Sequence, residues 1–233
     1  MRVVADFHNH SCLSPCGSLE LSPTVLVAEA AARGVQVLAL SDHNSARNTP
    51  AFESLCHAAG LLPLCGIEVT TAEELHCLVL FGRSVEALAF GELIEAHTLK
   101  VKLRPDKHGD QVVVDEAENV TGEVDFWLGA PTDLGLTDLV ELGHMHGGLV
   151  IPAHIDRPSQ SVKSQLGYLP PADYDALEVR SDAAGLEVGG LSLVKGSDAH
   201  YPENVGSRTC LLEVESLSFE GVRSALRSGK VGR

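Results

Sequence analysis

Short apolar runs alternate along the chain with longer amphipathic stretches, the pattern expected of a parallel α/β architecture. Seven runs read as strands: Arg2 to Phe7, Val35 to Leu40, Leu62 to Val69, His76 to Phe81, Gly148 to Pro152, Ala176 to Val179 and Leu191 to Lys195. Between the first two, Ser22 and Pro23 precede LVAEAAARG, where a serine cap, a proline at the first helical position and a closing glycine predict a helix. Helices are also predicted from about Thr49 to His57, before Gly60, and from about Thr137 to His146, before Gly147 and Gly148.

The stretch from Arg83 to Met145 breaks this rhythm. VEALAFGELIEAHTLKVKL reads as one long helix and QVVVDEAENVTGEV as a small hairpin, so the stretch is expected to be an insertion in one 1–233 domain. Without it, too little chain is left for the roughly 250 residues of a full eight-fold barrel. A small or irregular barrel is expected.

The ends of the runs carry the chemistry, because in a parallel barrel functional residues sit where strands pass into βα loops. The first run ends in Asp6-Phe7-His8-Asn9-His10, the second in Ser41-Asp42-His43, and the third in Gly66-Ile67-Glu68. The fifth ends in Ala153-His154 and the seventh in Gly196-Ser197-Asp198-Ala199-His200. His8 and His10, at i and i+2 in extended chain, point to one side, and the same holds for Asp198 and His200. A single histidine at a strand end is an ordinary polar residue. Five such clusters together predict a multinuclear metal site. His76 opens its run rather than closing it, and pattern alone leaves it open. His57, His97, His108, His144 and His146 read as helix or turn residues, and glycines near Glu68 and Asp198 suit a tight turn beside a crowded site.

Charge and composition narrow the partners. The 233 residues carry 17 basic and 32 acidic side chains, a net charge of −15, so a broad grip on extended nucleic acid is not expected, while a metal-filled pocket can still take a phosphate. No apolar run is long enough to cross a bilayer and no signal peptide is evident, so a cytoplasmic protein without membrane contact is expected. The six cysteines read as reduced thiols. Phosphate-binding glycine loops and a nucleophile elbow are absent from the sequence.

These motifs resemble the PHP (polymerase and histidinol phosphatase) superfamily of metal-dependent phosphoesterases. DFHNHSCLS, ALSDHN, GIEVTT with LHCLVLFG, PAHIDRP and GSDAH match its motifs in order from Asp6 to His200. The resemblance implies a distorted (β/α)7 barrel and two or three divalent ions, with Zn2+, Mn2+ or Fe2+ all suited to imidazole and carboxylate ligands. It implies that His8, His10, Glu68 and Asp198 hold one ion, that Glu68 bridges to a second held by His76 and His154, and that His43 and His200 hold a third. Where the family has an aspartate for the third ion, this chain has Cys16, either a thiolate ligand or a small residue filling a turn. Asp6 and Asp42 are expected to orient ligand imidazoles.

The expected reaction is hydrolysis of a small phosphomonoester or short nucleotide by water activated between ions bridged by Glu68, with Asp198 also in the catalytic set. Arg157, Arg180 and, less so, Lys195 are candidates to clamp phosphate oxygens. Two alternatives are a carbon–nitrogen hydrolase of amidohydrolase type and a non-catalytic metal-binding regulatory module. The paired Asp198 and His200 favour the phosphoesterase over the lone strand-end aspartate of amidohydrolases.

Overall fold

Each of the seven apolar runs contains a strand in the computed structural model, which describes residues 1–181, 183 and 185–232. The first half of the chain runs β1 (Arg2–Asp6), α1 (Pro23–Ala32), β2 (Val37–His43), α2 (Thr49–Ala59), β3 (Leu62–Thr70), β4 (His76–Phe81) and α3 (Ser84–His97). Then come a single turn α4 (Pro105–His108), the hairpin strands β5 (Val112–Val114) and β6 (Val120–Glu123), α5 (Leu136–Met145) and β7 (Leu149–Pro152). The chain closes with α6 (Val162–Gln165), β8 (Leu177–Glu178), β9 (Leu193–Val194), β10 (Cys210–Glu213), α7 (Phe219–Arg227) and β11 (Val231–Gly232). Helix α1 starts as its sequence dictates: Ser22 Oγ accepts the Val25 amide, and Pro23 occupies the first turn.

The strands form a curled seven-stranded sheet in the order β11-β10-β1-β2-β3-β4-β7. It is mixed rather than parallel throughout. β1, β2 and β3 are parallel, whereas β4 runs antiparallel to both β3 and β7, and β10 antiparallel to β1. Only Thr71 to Leu75 separates β3 from β4, a hairpin length that cannot hold the crossover a parallel pair needs. β8 and β9 form a separate parallel pair. The amide of Ile155 donates to Glu178 O (2.9 Å) on the β7 side, and the amide of Asp198 donates to His8 O (2.8 Å) on the β1 side.

The unusual Arg83–Met145 stretch divides into two kinds of structure. Helix α3 buries Ala87, Phe90, Gly91 and Ile94, and α5 buries Leu136, Leu139 and Val140, so both helices cover the sheet. The expected long helix stops at His97. At Thr98 the chain turns extended and bridges to Thr132, and Lys102 bridges to Phe126, so the TLKVKL segment spans a gap instead of continuing the helix.

Helices α1, α2, α3 and α5 enclose one apolar core with residues such as Leu38, Ile67, Val79 and Phe81. The other face of the sheet packs Val3, Ala39, Leu64, Leu78 and Leu80 with Val222 and Leu226 of α7. Alternation along the strands continues this second face into the site: Ala39 leads to Ser41 and His43, Leu64 to Gly66 and Glu68, and Leu78 to His76. His43 pairs with Glu68 across β2 and β3, so the two side chains share that face.

Candidate metal centre

Glu68 lies at the centre of the cluster. Its Oε1 is 2.8 Å from His76 Nδ1, 3.0 Å from His154 Nε2 and 3.2 Å from His8 Nε2. Its Oε2 is 3.2 Å from His43 Nδ1 and 3.3 Å from His10 Nε2. Asp198 Oδ1 faces His10 Nε2 at 3.3 Å, His200 Nδ1 at 3.6 Å and His8 Nε2 at 3.7 Å. Side chains from six separate segments thus converge, and all but His200 and Asp198 are buried. Four overlapping triads place one donor atom per residue within 4.8 Å of each other: His8, His10 and Asp198; His8, Glu68 and His154; His43, Glu68 and His76; His10, His43 and His200.

The residues fit divalent ions. Glu68 Oε2, Asp198 Oδ1 and His43 Nδ1 are buried without a hydrogen-bond partner, an arrangement that costs free energy unless something else satisfies them. All three face the interior of the cluster, and a set of imidazoles and carboxylates suits zinc, manganese or iron.

Electrostatics point the same way. Burial alone would drive His8 down, but the charges of Glu68, Glu178 and Asp198 outweigh it and hold the imidazole well above its ordinary range. His10 is likewise opposed by burial and yet raised to about 9 by the carboxylates of Asp198 and Glu68 beside its Nε2. Burial pushes His43 well below the imidazole range and His200 down to about 4. Glu68 overcomes its burial through His76, His8 and His43, which hold it ionised. The carboxylates of Glu68 and Asp198 are therefore set against histidines competing for few protons.

Supporting contacts set the geometry. Asp42 accepts from the Ser11 amide, the Ser11 hydroxyl and the Ser14 hydroxyl, each at 2.7 Å, and Ser14 Oγ lies 2.9 Å from His10 Nδ1. Asp42 thus reaches His10 through Ser14 and not directly. Asp6 accepts from the Ser197 amide at 2.8 Å and its hydroxyl at 2.5 Å, fixing the backbone just before Asp198. His154 and Asp198 adopt left-handed backbone, with φ of 28° and 52°. Such conformations are rare away from glycine and mark segments held by their surroundings.

The neighbouring glycines serve close packing and not the expected tight turn. A Cβ at Gly196 would come within 2.3 Å of His8 Cβ, and one at Gly66 within 2.5 Å of Leu80 and of Val79 O. Any side chain at 196 would displace His8.

Arg157 is drawn into the site, with Nη1 3.1 Å from Asp198 Oδ2 and 3.2 Å from His154 Nε2. Arg180 is not. Its side chain is exposed and absent from the cavity wall, because the short β8 directs Glu178 inward and the chain then turns on the Asp156 carboxylate, which accepts the Arg180 amide at 2.8 Å. Lys195 also lies off the wall. Cys16 sits at the rim with Sγ 3.0 Å from His200 Nε2, and desolvation there pushes its thiol up to about 12.

Two features escaped the sequence reading. Glu178 is buried, with Oε2 2.8 Å from His8 Nδ1 and 3.0 Å from the His154 amide. The lone acid in the apolar ALEV run was its only signal. The second is that Lys107, His108, Gly109, Trp127 and Gly129, between α3 and α5, wall the mouth of a cavity of about 490 Å³ above the cluster.

The profile of the PHP domain family matches residues 6–157, and that of a PHP-associated region matches residues 189–231. The chain belongs to the PHP domain family. No curated protein matches the sequence. Among solved structures, the lesion-specific endonuclease PfuEndoQ from Pyrococcus furiosus superimposes with a TM-score of 0.68 at 19% identity, over 98% of this chain and 56% of that one. An Endonuclease Q complex with a 27-mer duplex substrate bearing an abasic lesion gives 0.67 at 20% identity, over 98% and 57%. A two-domain protein from Bacteroides vulgatus ATCC 8482, containing a predicted PHP-like metal-dependent phosphoesterase, gives 0.60 at 16% identity, over 99% and 64%. The chain spans little more than half the length of the two endonuclease chains, and at these identities the likeness establishes the fold. It also corrects one expectation: a relative of this fold takes duplex DNA, so net charge alone does not exclude extended nucleic acid.

Proposed function

We propose that the chain is a metal-dependent phosphoesterase that hydrolyses a small phosphomonoester or short nucleotide at a di- or trinuclear site. The observation that carries this reading is the convergence on Glu68, whose Oε1 faces His8, His76 and His154 while its Oε2 faces His10 and His43. In this assignment His8, His10, Glu68 and Asp198 hold one ion, Glu68, His76 and His154 a second, and His43, His200 and Cys16 a third. When bound, such ions supply an activated water and neutralise charge developing on the phosphoryl oxygens.

The protein's own groups do the rest. Arg157 spends one nitrogen on Asp198 and keeps its other N–H groups for phosphate oxygens at the mouth. Glu178 fixes the ring of His8 by accepting from Nδ1, leaving Nε2 turned toward Glu68 and Asp198. The reading takes β8 and β9 as closing a distorted (β/α)7 barrel within a single domain. Six unpaired cysteines, and no helix among the described residues long and apolar enough to cross a membrane, support a cytoplasmic setting.

The test is a panel of phosphorylated metabolites and a short oligonucleotide, assayed with added manganese or zinc alongside elemental analysis. Release of inorganic phosphate that disappears on chelation is expected. Hydrolysis of amides instead, or purified protein that binds no metal and releases no phosphate, would move the assignment to the amidohydrolase or regulatory alternatives.

A further inference from the structure

The 233-residue sequence contains a single tryptophan, and the structure sets it over the candidate metal centre. Trp127 stacks on His108 with ring centroids 4.9 Å apart and planes 22° from parallel, and both rings line the cavity whose floor holds Glu68, His43 and Asp198. This is costly placement for structural aromatic surface. Phe7, Phe52, Phe81 and Phe90 are fully buried in the cores, whereas Trp127 and His108 are left half-exposed in a polar cleft.

The pair is held firmly. His108 Nδ1 accepts the Arg104 amide at 3.2 Å, closing the α4 turn. Gly109, at φ 81°, lies so close to Pro15 that a Cβ would come within 2.3 Å of its carbonyl oxygen, and a Cβ at Gly129 would come within 2.7 Å of the indole. Gln111 carries the far side, donating to Phe126 O at 2.7 Å and accepting the Leu128 amide at 2.8 Å. A cavity of about 490 Å³ also has room for much more than a phosphate group.

The geometry points to the Trp127–His108 pair as the platform on which the planar base of a nucleoside phosphate packs while its phosphate reaches Arg157 and the centre below. The inference rests on the phosphoesterase reading and adds the substrate class. Flat heteroaromatic rings are what a stacked indole and imidazole hold best, and such stacking tolerates any base because every base has a π-face. The nucleoside phosphate is either free or the end of a short strand.

Trp127 makes the test direct, since intrinsic tryptophan fluorescence has one source in this chain. The metal-loaded full-length protein is mixed with adenosine 5′-monophosphate or with ribose 5-phosphate, and emission is read before turnover. Saturable quenching by the nucleotide and none by the sugar phosphate is expected. In steady state the nucleotide should have the higher kcat/KM by about 5- to 150-fold, mainly through KM, the range that base stacking gives. Trp127→Ala should collapse that ratio, and Trp127→Phe should keep most of it. A 5′-phosphorylated trinucleotide forms a third arm, and a lower KM for it than for the mononucleotide identifies a strand end as the source of the base. Absence of quenching, or a ratio that Trp127→Ala leaves unchanged, overturns the platform. Quenching without phosphate release from any substrate upholds the platform and overturns the phosphoesterase reading instead.

Discussion

Glu178 Oε2 accepts from His8 Nδ1 at 2.8 Å while also holding the His154 amide at 3.0 Å, so one buried carboxylate orients two neighbouring residues of the cluster whose rings stack 5.6 Å apart. Its removal should act on metal affinity without unfolding the chain. Glu178→Gln keeps the shape and loses the charge that favours a well-oriented, basic imidazole. Metal affinity should fall by roughly 10–100-fold, the range for such supporting carboxylates, with circular dichroism unchanged. Equal affinity in competition with a chelator would show that the ring needs no such partner.

Groups inside the cluster and groups behind it should separate in kinetics. His8→Ala and Asp198→Ala should abolish phosphate release, because both side chains face the shared centre. Asp42→Asn should lower activity by roughly 10–100-fold, since Asp42 acts on His10 only through Ser14. Losses of the same size from Asp42 and Asp198 would mean that Asp42 contacts the centre more directly than the Ser14 relay implies.

Arg157 should touch substrate and not ions. Arg157→Ala is expected to raise KM or lower kcat for a phosphate ester with metal content unchanged, as for a clamp removed from the substrate. Arg180→Ala, remote from the cavity, should leave both unaltered. Lost metal in the Arg157 variant would recast that residue as a support for Asp198 and His154.

Cys16 sits where the family resemblance expects a carboxylate, 3.0 Å from His200 Nε2. If it ligates the third ion as a thiolate, cobalt-loaded protein should show a sulfur-to-metal charge-transfer band that Cys16→Ser removes, and Cys16→Asp should shift preference from zinc toward manganese. A cobalt spectrum identical in wild type and Cys16→Ser leaves the third position to His43 and His200.

The chain's layout was legible where local chemistry is strong. Ser22 and Pro23 begin α1, and the strand-end histidines converge because alternation on β2, β3 and β4 carries His43, Glu68 and His76 to one face. Strand direction was not legible, since apolar runs look alike whichever way they pair, and only the short Thr71–Leu75 link hinted at the reversal. β10 and β11 were missed because both are short: β10 spans four residues, paired between β1 and β11, and β11 is a two-residue strand at the sheet edge. Glu178 was hidden inside an apolar run, where a buried acid is invisible until its partners are known. Arg157 and Arg180 carried equal weight in sequence, and only the turn after β8 separates them.

Metal content of the Glu68→Gln variant tests the central claim most directly. Because the single negative charge of Glu68 is shared by two of the proposed ions, its loss in the amide variant should weaken the binding of both. Elemental analysis of purified, metal-saturated protein should give at least two ions per wild-type chain and a loss of more than one in Glu68→Gln. The thermal stabilisation that metal gives the wild type should shrink in parallel, in line with about 2.7 kcal/mol for a ligand at 100 times its Kd. Full metal content in Glu68→Gln, with the same thermal shift on chelation as the wild type, would contradict a bridging carboxylate at the heart of the site.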